Sequence, residues 1–465
     1  MCILCNLEYK SNIDLSIDDV SIDDCPNITQ LPDHKHLSNI HTLSCQNTKL
    51  SIIPMYKNLT DLNCSSSSIE YIPVLPNLIT LDCSFSKISF IPSLPKIINI
   101  YASYSKLSSI APMNTLQLLD CKNTPINYLP RLPSVSKLLC SYSEINHLHS
   151  MPQLEHLECN GCPLEYIPPM SKLRELYASQ SSVKTIPYLP QLNIFCCANT
   201  YISYIPRLPL LRTLICSETP IVELLNDNLV KLDCGYCPLL KSIPHMENLQ
   251  ILECFNNNIS SIPIINRLNT LLLDDNDIEY IPPIESLVTL SLNNTTIKSL
   301  PSMHLLQTLS LDDCKLQSLP ELPLLQYLSI RNTPIDKLPS LSSLEILHCS
   351  GSALSSINGL PLLFTLTICN TPIKSICQVP RASNIYIKNN RLLTTIDEHL
   401  ITNQSENPDI IIEECPWLYP EISVINNLIK CQRFIKCWLT KRHINKYIVL
   451  KKYLPVDISL ECLKY

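Results

Sequence analysis

The chain has 465 residues, 45% of them hydrophobic, with 4 glycines beside 37 prolines and 24 cysteines, and a formal net charge of −6 at pH 7. Four glycines could hardly form a glycine-rich phosphate loop, and neither an H-E-x-x-H nor a spaced set of metal ligands occurs, so the sequence offers no enzyme motif and no cofactor is expected. No stretch approaches about eighteen uninterrupted apolar residues, which leaves no candidate membrane span.

In chain order, the opening MCILCNLEYK has no basic region followed by a long apolar run and does not resemble a secretory signal. The expected setting is cytoplasmic and reducing, where cysteines stay thiols. In that setting the Asn-x-Ser/Thr triplets at Asn58 and Asn258 reflect composition rather than glycosylation. Residues 1–35 are expected to cap the amino-terminal end, with VSIDDCPNITQLP (20–32) starting the stack.

From 36 to 397 the sequence repeats. LNCSSSSIEYIP (62–73), LDCSFSKISFIP (81–92), LDCKNTPINYLP (119–130) and LECNGCPLEYIP (157–168) are variants of one pattern. Its anchors run from Leu43, Leu62, Leu81 and Ile100 to Leu347, Leu366 and Ile385, and nearly all are nineteen residues apart. The spacing breaks only around Leu232, where CPLLKSIP carries one residue more than its neighbours. The alternation around each anchor has period two, which predicts a short strand with one face inward. A small polar residue or cysteine then marks the exit turn, and an Ile-Pro or Leu-Pro pair returns the chain. Proline lacks an amide donor and fixes its own backbone angle, so the return is expected to be extended or turn-like. One such unit cannot bury its apolar edge alone, but a stack of units can.

These repeats resemble the leucine-rich repeat family over about residues 20 to 415. The short units resemble those of repeat proteins of giant DNA viruses of amoebae and, less closely, of bacterial effectors. The resemblance implies a repeat solenoid, an arc of about nineteen units with a parallel β-sheet on its concave face and extended segments on its convex face. The family's asparagine at the strand exit stands at Asn257, Asn276 and Asn390, while Ser, Thr or Cys replaces it elsewhere.

Eleven cysteines lie two residues after an anchor, among them Cys45, Cys64, Cys83 and Cys121; in other units that slot holds Leu, Ile or Ala. A slot that accepts all four calls for a small or medium apolar group facing inward, which free cysteine satisfies. The C-x-x-C pairs Cys159/Cys162 and Cys234/Cys237 could form half a zinc site or a redox dithiol, but each spans a strand and its exit instead of opening a helix.

In proteins of this kind the concave face usually binds partners. Here it is expected to carry Phe85, Tyr101, Tyr104, Tyr142 and Tyr177, with Tyr236 and Phe255 further on. Asp274, Asp275, Asp277, Asp312 and Asp313 gather near the strand exits as an acidic strip that could meet a basic partner or a cation. Phe90, Tyr128, Tyr166 and Tyr204 recur every thirty-eight residues and are expected to pack on the return side.

Residues 398–420 are expected to close the stack. The tail 421–465 carries nine Lys/Arg against three Asp/Glu, with apolar residues at helical spacing. CQRFIKCWLTK within it resembles the calmodulin-binding motif I-Q-x-x-x-R-G-x-x-x-R. Gln432, Lys436 and Lys441 match in kind beside Trp438, while Cys431 and Cys437 replace the isoleucine and glycine. Such a helix could bind a calmodulin-like protein, an anionic membrane or nucleic acid, or it could seal the stack. The expectation is a monomeric, non-catalytic scaffold that binds a protein partner on its concave face and has no small-molecule substrate. A tether that works through the tail is the alternative.

Overall fold

The structure is a computed structural model that describes residues 18–25, 28–31, 39–398, 400 and 409–415. The expectations for the tail, Gln432, Lys436, Trp438 and Lys441 included, lie outside the described residues. The chain forms two compact units divided between Leu325 and Gln326. Each is a solenoid of parallel strands.

In the first unit, successive three-residue strands run from Asp19–Ser21 and Thr42–Ser44 to Thr289–Ser291 and Thr308–Ser310. They pair anchor to anchor: Leu43 faces Leu62, Leu62 faces Leu81, and Leu81 faces Ile100. Leu62, Leu81 and Ile100 are each buried between two half-exposed neighbours, as period-two alternation requires. The pairing survives the irregular spacing, since Leu232 faces Leu214 on one side and Leu252 on the other. The return before Leu232 is one residue short. Buried Asn226 spans the gap, accepting from the Leu208 amide at 2.7 Å and donating to the Pro206 carbonyl at 3.2 Å.

The return segments bury every third residue. Leu50, Ile53, Tyr56 and Leu59 lie inside, as do Ile69, Ile72, Leu75 and Leu78 in the next turn and Ile88, Ile91, Leu94 and Ile97 in the one after. Three residues per turn is the period of polyproline II, the conformation that the prolines favour. Backbone donors decide where these segments also pair as strands. Pro54, Pro73 and Pro92 follow the buried return isoleucine and have no amide to give. Ala111 takes that place after Ile110 and donates to the Ile91 carbonyl at 2.9 Å, and there Phe90–Ile91 pairs with Ser109–Ile110.

In the second unit, Tyr327–Ser329, Ile346–His348, Thr365–Cys369, Asn384–Lys388 and Ile410–Glu413 form the main parallel ladder. Its returns place Asn358, Cys377 and Asp397 where proline stood earlier. They build a second parallel sheet from Ser356–Asn358, Ser375–Cys377 and Thr395–Ile396. Among the described residues, no helix is long and apolar enough to cross a membrane.

Candidate interaction surface

The cysteine slot points into the core. Cys45, Cys64, Cys83, Cys121 and Cys140 are fully buried free thiols, and Ala102 and Ala178 are equally buried in the same slot. Burial pushes the Cys45 thiol up to about 12, with Asp23 adding to the shift, and raises Cys64 and Cys83 further. The second members of the C-x-x-C pairs occupy the strand-exit slot. Protonated Cys162 donates to the Cys140 carbonyl at 3.0 Å, and Cys237 to that of Cys216 at 3.2 Å. Hydrogen bonding with the Cys140 thiol and the Ser143 hydroxyl, working against burial, draws Cys162 down to about 7. Cys216 and Thr219 draw Cys237 to about 6 in the same way. The polar partner of each is therefore the turn before, across the stack.

That exit slot has two solutions. Serine and threonine bond within their own turn: Ser86 donates to the Cys83 carbonyl at 2.6 Å and Thr124 to that of Cys121 at 2.6 Å. Asparagine, with donor and acceptor on a longer arm, bridges turns. Asn276 donates to the Cys254 carbonyl at 2.7 Å and accepts from the Ile259 amide at 3.1 Å. Cysteine reaches the previous turn as asparagine does, through a single sulfur that also meets the Ser143 or Thr219 hydroxyl there at 3.5 Å.

The residue before this slot is left-handed in every described turn, with φ of 52–59° at the non-glycine positions. Asparagine, aspartate and glycine tolerate that conformation, and Asn47, Asn123, Gly161 and Asn199 occupy it. Phe85, Tyr104, Tyr142 and Tyr236 occupy it too. They are therefore not on the strand surface where their sequence positions suggested. They stand at the sheet's exit edge, with Phe85 59% exposed, Tyr104 55% and Tyr142 53%. The Phe85 and Tyr104 rings stack with centroids 4.8 Å apart. Tyr142 lies over Gly161, where a Cβ would come within 2.5 Å of the ring, and donates to Gln180 Oε1 at 3.0 Å two turns on.

Tyr101 and Tyr177 do lie on strands, half-buried on the sheet's outer face. A polar cluster not singled out from the sequence surrounds them. His156 has Glu175 at 2.8 Å from Nδ1 and Glu158 at 3.0 Å from Nε2. Lys122 Nζ lies 3.8 Å from both Asp120 and Glu158. Burial holds the Asp120 carboxyl above its usual range, although Lys122 opposes the shift. Its signal in the sequence is the alternation of charged residues with buried anchors on neighbouring strands.

The acidic strip divides by role. Asp274 is tied into the stack, accepting from Ser291 Oγ at 2.6 Å and the Asn293 amide at 2.8 Å. Asn293 repeats the device, accepting from the Asp312 amide at 2.7 Å. Asp275 and Asp313 are exposed at left-handed positions. Among the described residues, no group of three or more His, Cys, Asp or Glu side chains could hold a metal ion. One packing expectation fails: Phe90, Tyr128, Tyr166 and Tyr204 are exposed, because the three-residue period buries the neighbour that follows each of them.

Parallel strands set by a nineteen-residue repeat, with a polar slot at each exit, define a leucine-rich-repeat fold. YopM from Yersinia enterocolitica WA-314 is similar to this chain with a TM-score of 0.66 and 20% identity, over 85% of this chain and 91% of that one. The plant peptide hormone receptor RGFR1, solved in complex with RGF2, has a TM-score of 0.51 and 16% identity, over 83% and 85%. A TDR receptor has the same score and identity over 82% and 84%. No family model and no curated protein sequence matches the chain.

Proposed function

We propose that the chain is a non-catalytic scaffold that binds a protein partner along the outer face and exit edge of the first unit's sheet, the surface expected to be concave. The contact set is Phe85, Tyr101, Tyr104, Tyr142 and Tyr177, with Asp275 and Asp313 extending it. Asp274 serves the stack. One observation carries this reading: four bulky exposed aromatics, Phe85, Tyr104, Tyr142 and Tyr236, occupy left-handed positions that asparagine or glycine fills in other turns. A left-handed L-residue costs about 1–2 kcal/mol, and the stack does not require an aromatic ring there. Rigid aromatics on an ordered ladder give contact area at low entropy cost. The complex of the similar receptor RGFR1 with RGF2 supports the same reading.

The test is the triple variant Phe85→Asn, Tyr104→Asn and Tyr142→Asn. Asparagine suits the backbone, so relief of the left-handed cost offsets a lost ring stack of about 0.5–1.5 kcal/mol. Stability should stay within about 1 kcal/mol of the parent, while proteins captured from cell extract by the parent chain disappear. Identical captured sets from the two proteins would remove the aromatic edge from the interface.

A further inference from the structure

A second surface lies on the return side of the same unit. Between the buried positions of the three-residue period, one outward flank carries Lys49, Ile52 and Met55 in the turn anchored at Leu43. The next turn places Tyr71, Val74 and Asn77 there, and the one after places Lys87, Phe90, Ser93 and Lys96. Ile52 is 61% exposed, Met55 67%, Tyr71 58%, Val74 46% and Phe90 41%. Turns stack about 4.8 Å apart, so these five apolar side chains form one contiguous patch.

The fold does not require them. The slot of Ile52, Tyr71 and Phe90 is filled by Ser261, Ser299 and Ser318 later in the same unit, all exposed. Contiguous apolar surface kept in water marks a binding site.

On this flank of the described turns the charge has one sign. Lys49, Lys87, Lys96 and Lys106 are exposed on it, three of them three residues before the apolar slot. Acids of these turns lie elsewhere. Asp61 and Asp82 are on strands at the sheet face, and Glu70 is on the other outward flank of its return. The five apolar side chains are each 41–67% exposed, which suits a broad interface into which each can insert separately.

We infer that this return face docks on an anionic lipid bilayer. Ile52, Met55, Tyr71, Val74 and Phe90 enter the headgroup and acyl boundary, and the lysine rim pairs with acidic headgroups. Apolar insertion plus basic attraction is the general physics of peripheral membrane binding. The site is separate from the proposed protein interface and does not depend on it.

The experiment is flotation of the full chain with phosphatidylcholine vesicles that contain phosphatidylserine, and with phosphatidylcholine vesicles alone. The parent should float with the anionic vesicles and much less with the neutral ones. Ile52→Ser/Tyr71→Ser/Phe90→Ser should lower partitioning by about tenfold or more. Lys49→Gln/Lys87→Gln/Lys96→Gln should lower it by about fivefold per lysine. Serine and glutamine suit these exposed positions, and circular dichroism checks the fold of both variants.

A parent that stays unbound overturns the inference. So do two variants that float like the parent, which would place vesicle binding in the basic tail. Patch-dependent binding of an acidic peptide without vesicle binding would make this face a protein site and equally overturn it.

Discussion

Single residues decide how well one turn is joined to the next. Asn276 satisfies the Cys254 carbonyl in the turn before while also bonding the Leu273 carbonyl of its own turn at 3.1 Å. Asn276→Ala leaves buried groups without those bonds and should cost about 2–4 kcal/mol, read by urea unfolding. Thr124→Ala removes one bond within a single turn and should cost about 1 kcal/mol. Equal losses for the two would contradict the division between bridging and local exit residues. Gly161→Ala adds a Cβ at φ +67°, 2.5 Å from the Tyr142 ring. The ring must lift and its bond to Gln180 must break, so stability should fall by about 1–3 kcal/mol. Gly359→Ala is the control: it has a similar φ of +72° and no neighbour closer than 3.7 Å, so it should cost only the backbone term.

At the scale of one turn, the sequence discloses the period better than the edges. Anchors nineteen apart predicted strand pairing leucine to leucine, and Leu62↔Leu81 is such a pair. The cysteine slot was readable because Leu, Ile and Ala share it. The exit edge was not, because the sign of φ is hidden where Phe85 and Tyr104 stand in place of asparagine or glycine. The exposure of Phe90 was hidden because the return follows a three-residue period while the strand follows two. Buried thiols also make the turns sensitive to base. Burial raises Cys45 to about 12 and Cys196 to about 11 in the fold, against about 8.5 in the unfolded chain. A raised folded pKa gives stability that is complete below the unfolded value and lost as pH climbs through the folded one. Cys162 and Cys237, drawn down to about 7 and 6, are ionised in both states well above pH 9 and add no slope there. The thermal midpoint should therefore fall steadily between about pH 8.5 and 10.5. Cys83→Ala, which copies the alanine of neighbouring turns, should flatten that fall. A midpoint constant over this range would mean the thiols are not protonated core groups.

At the scale of the molecule, a solenoid turns its strands to one side and its returns to another, with the core between them. In the first unit the strand side and its exit edge hold stacked aromatics and the His156–Glu158–Glu175 cluster. One flank of the return side of its early turns holds exposed apolar side chains interspersed with lysines. Groups on opposite sides of a packed core, with no shared partner, are expected to act independently, to within about 0.3–0.5 kcal/mol. Combining Phe85→Asn/Tyr104→Asn/Tyr142→Asn with Ile52→Ser/Tyr71→Ser/Phe90→Ser tests this directly. The first set should abolish protein capture and leave vesicle flotation unchanged, and the second should do the reverse. The six-fold variant should lose both, with a loss of stability equal to the sum of the two sets. The rings of Phe85 and Phe90 make the test sharp, because they stand five positions apart in the chain with buried Ser86 and Ile88 between them. If removing one set weakened both kinds of binding, the two surfaces would be one site.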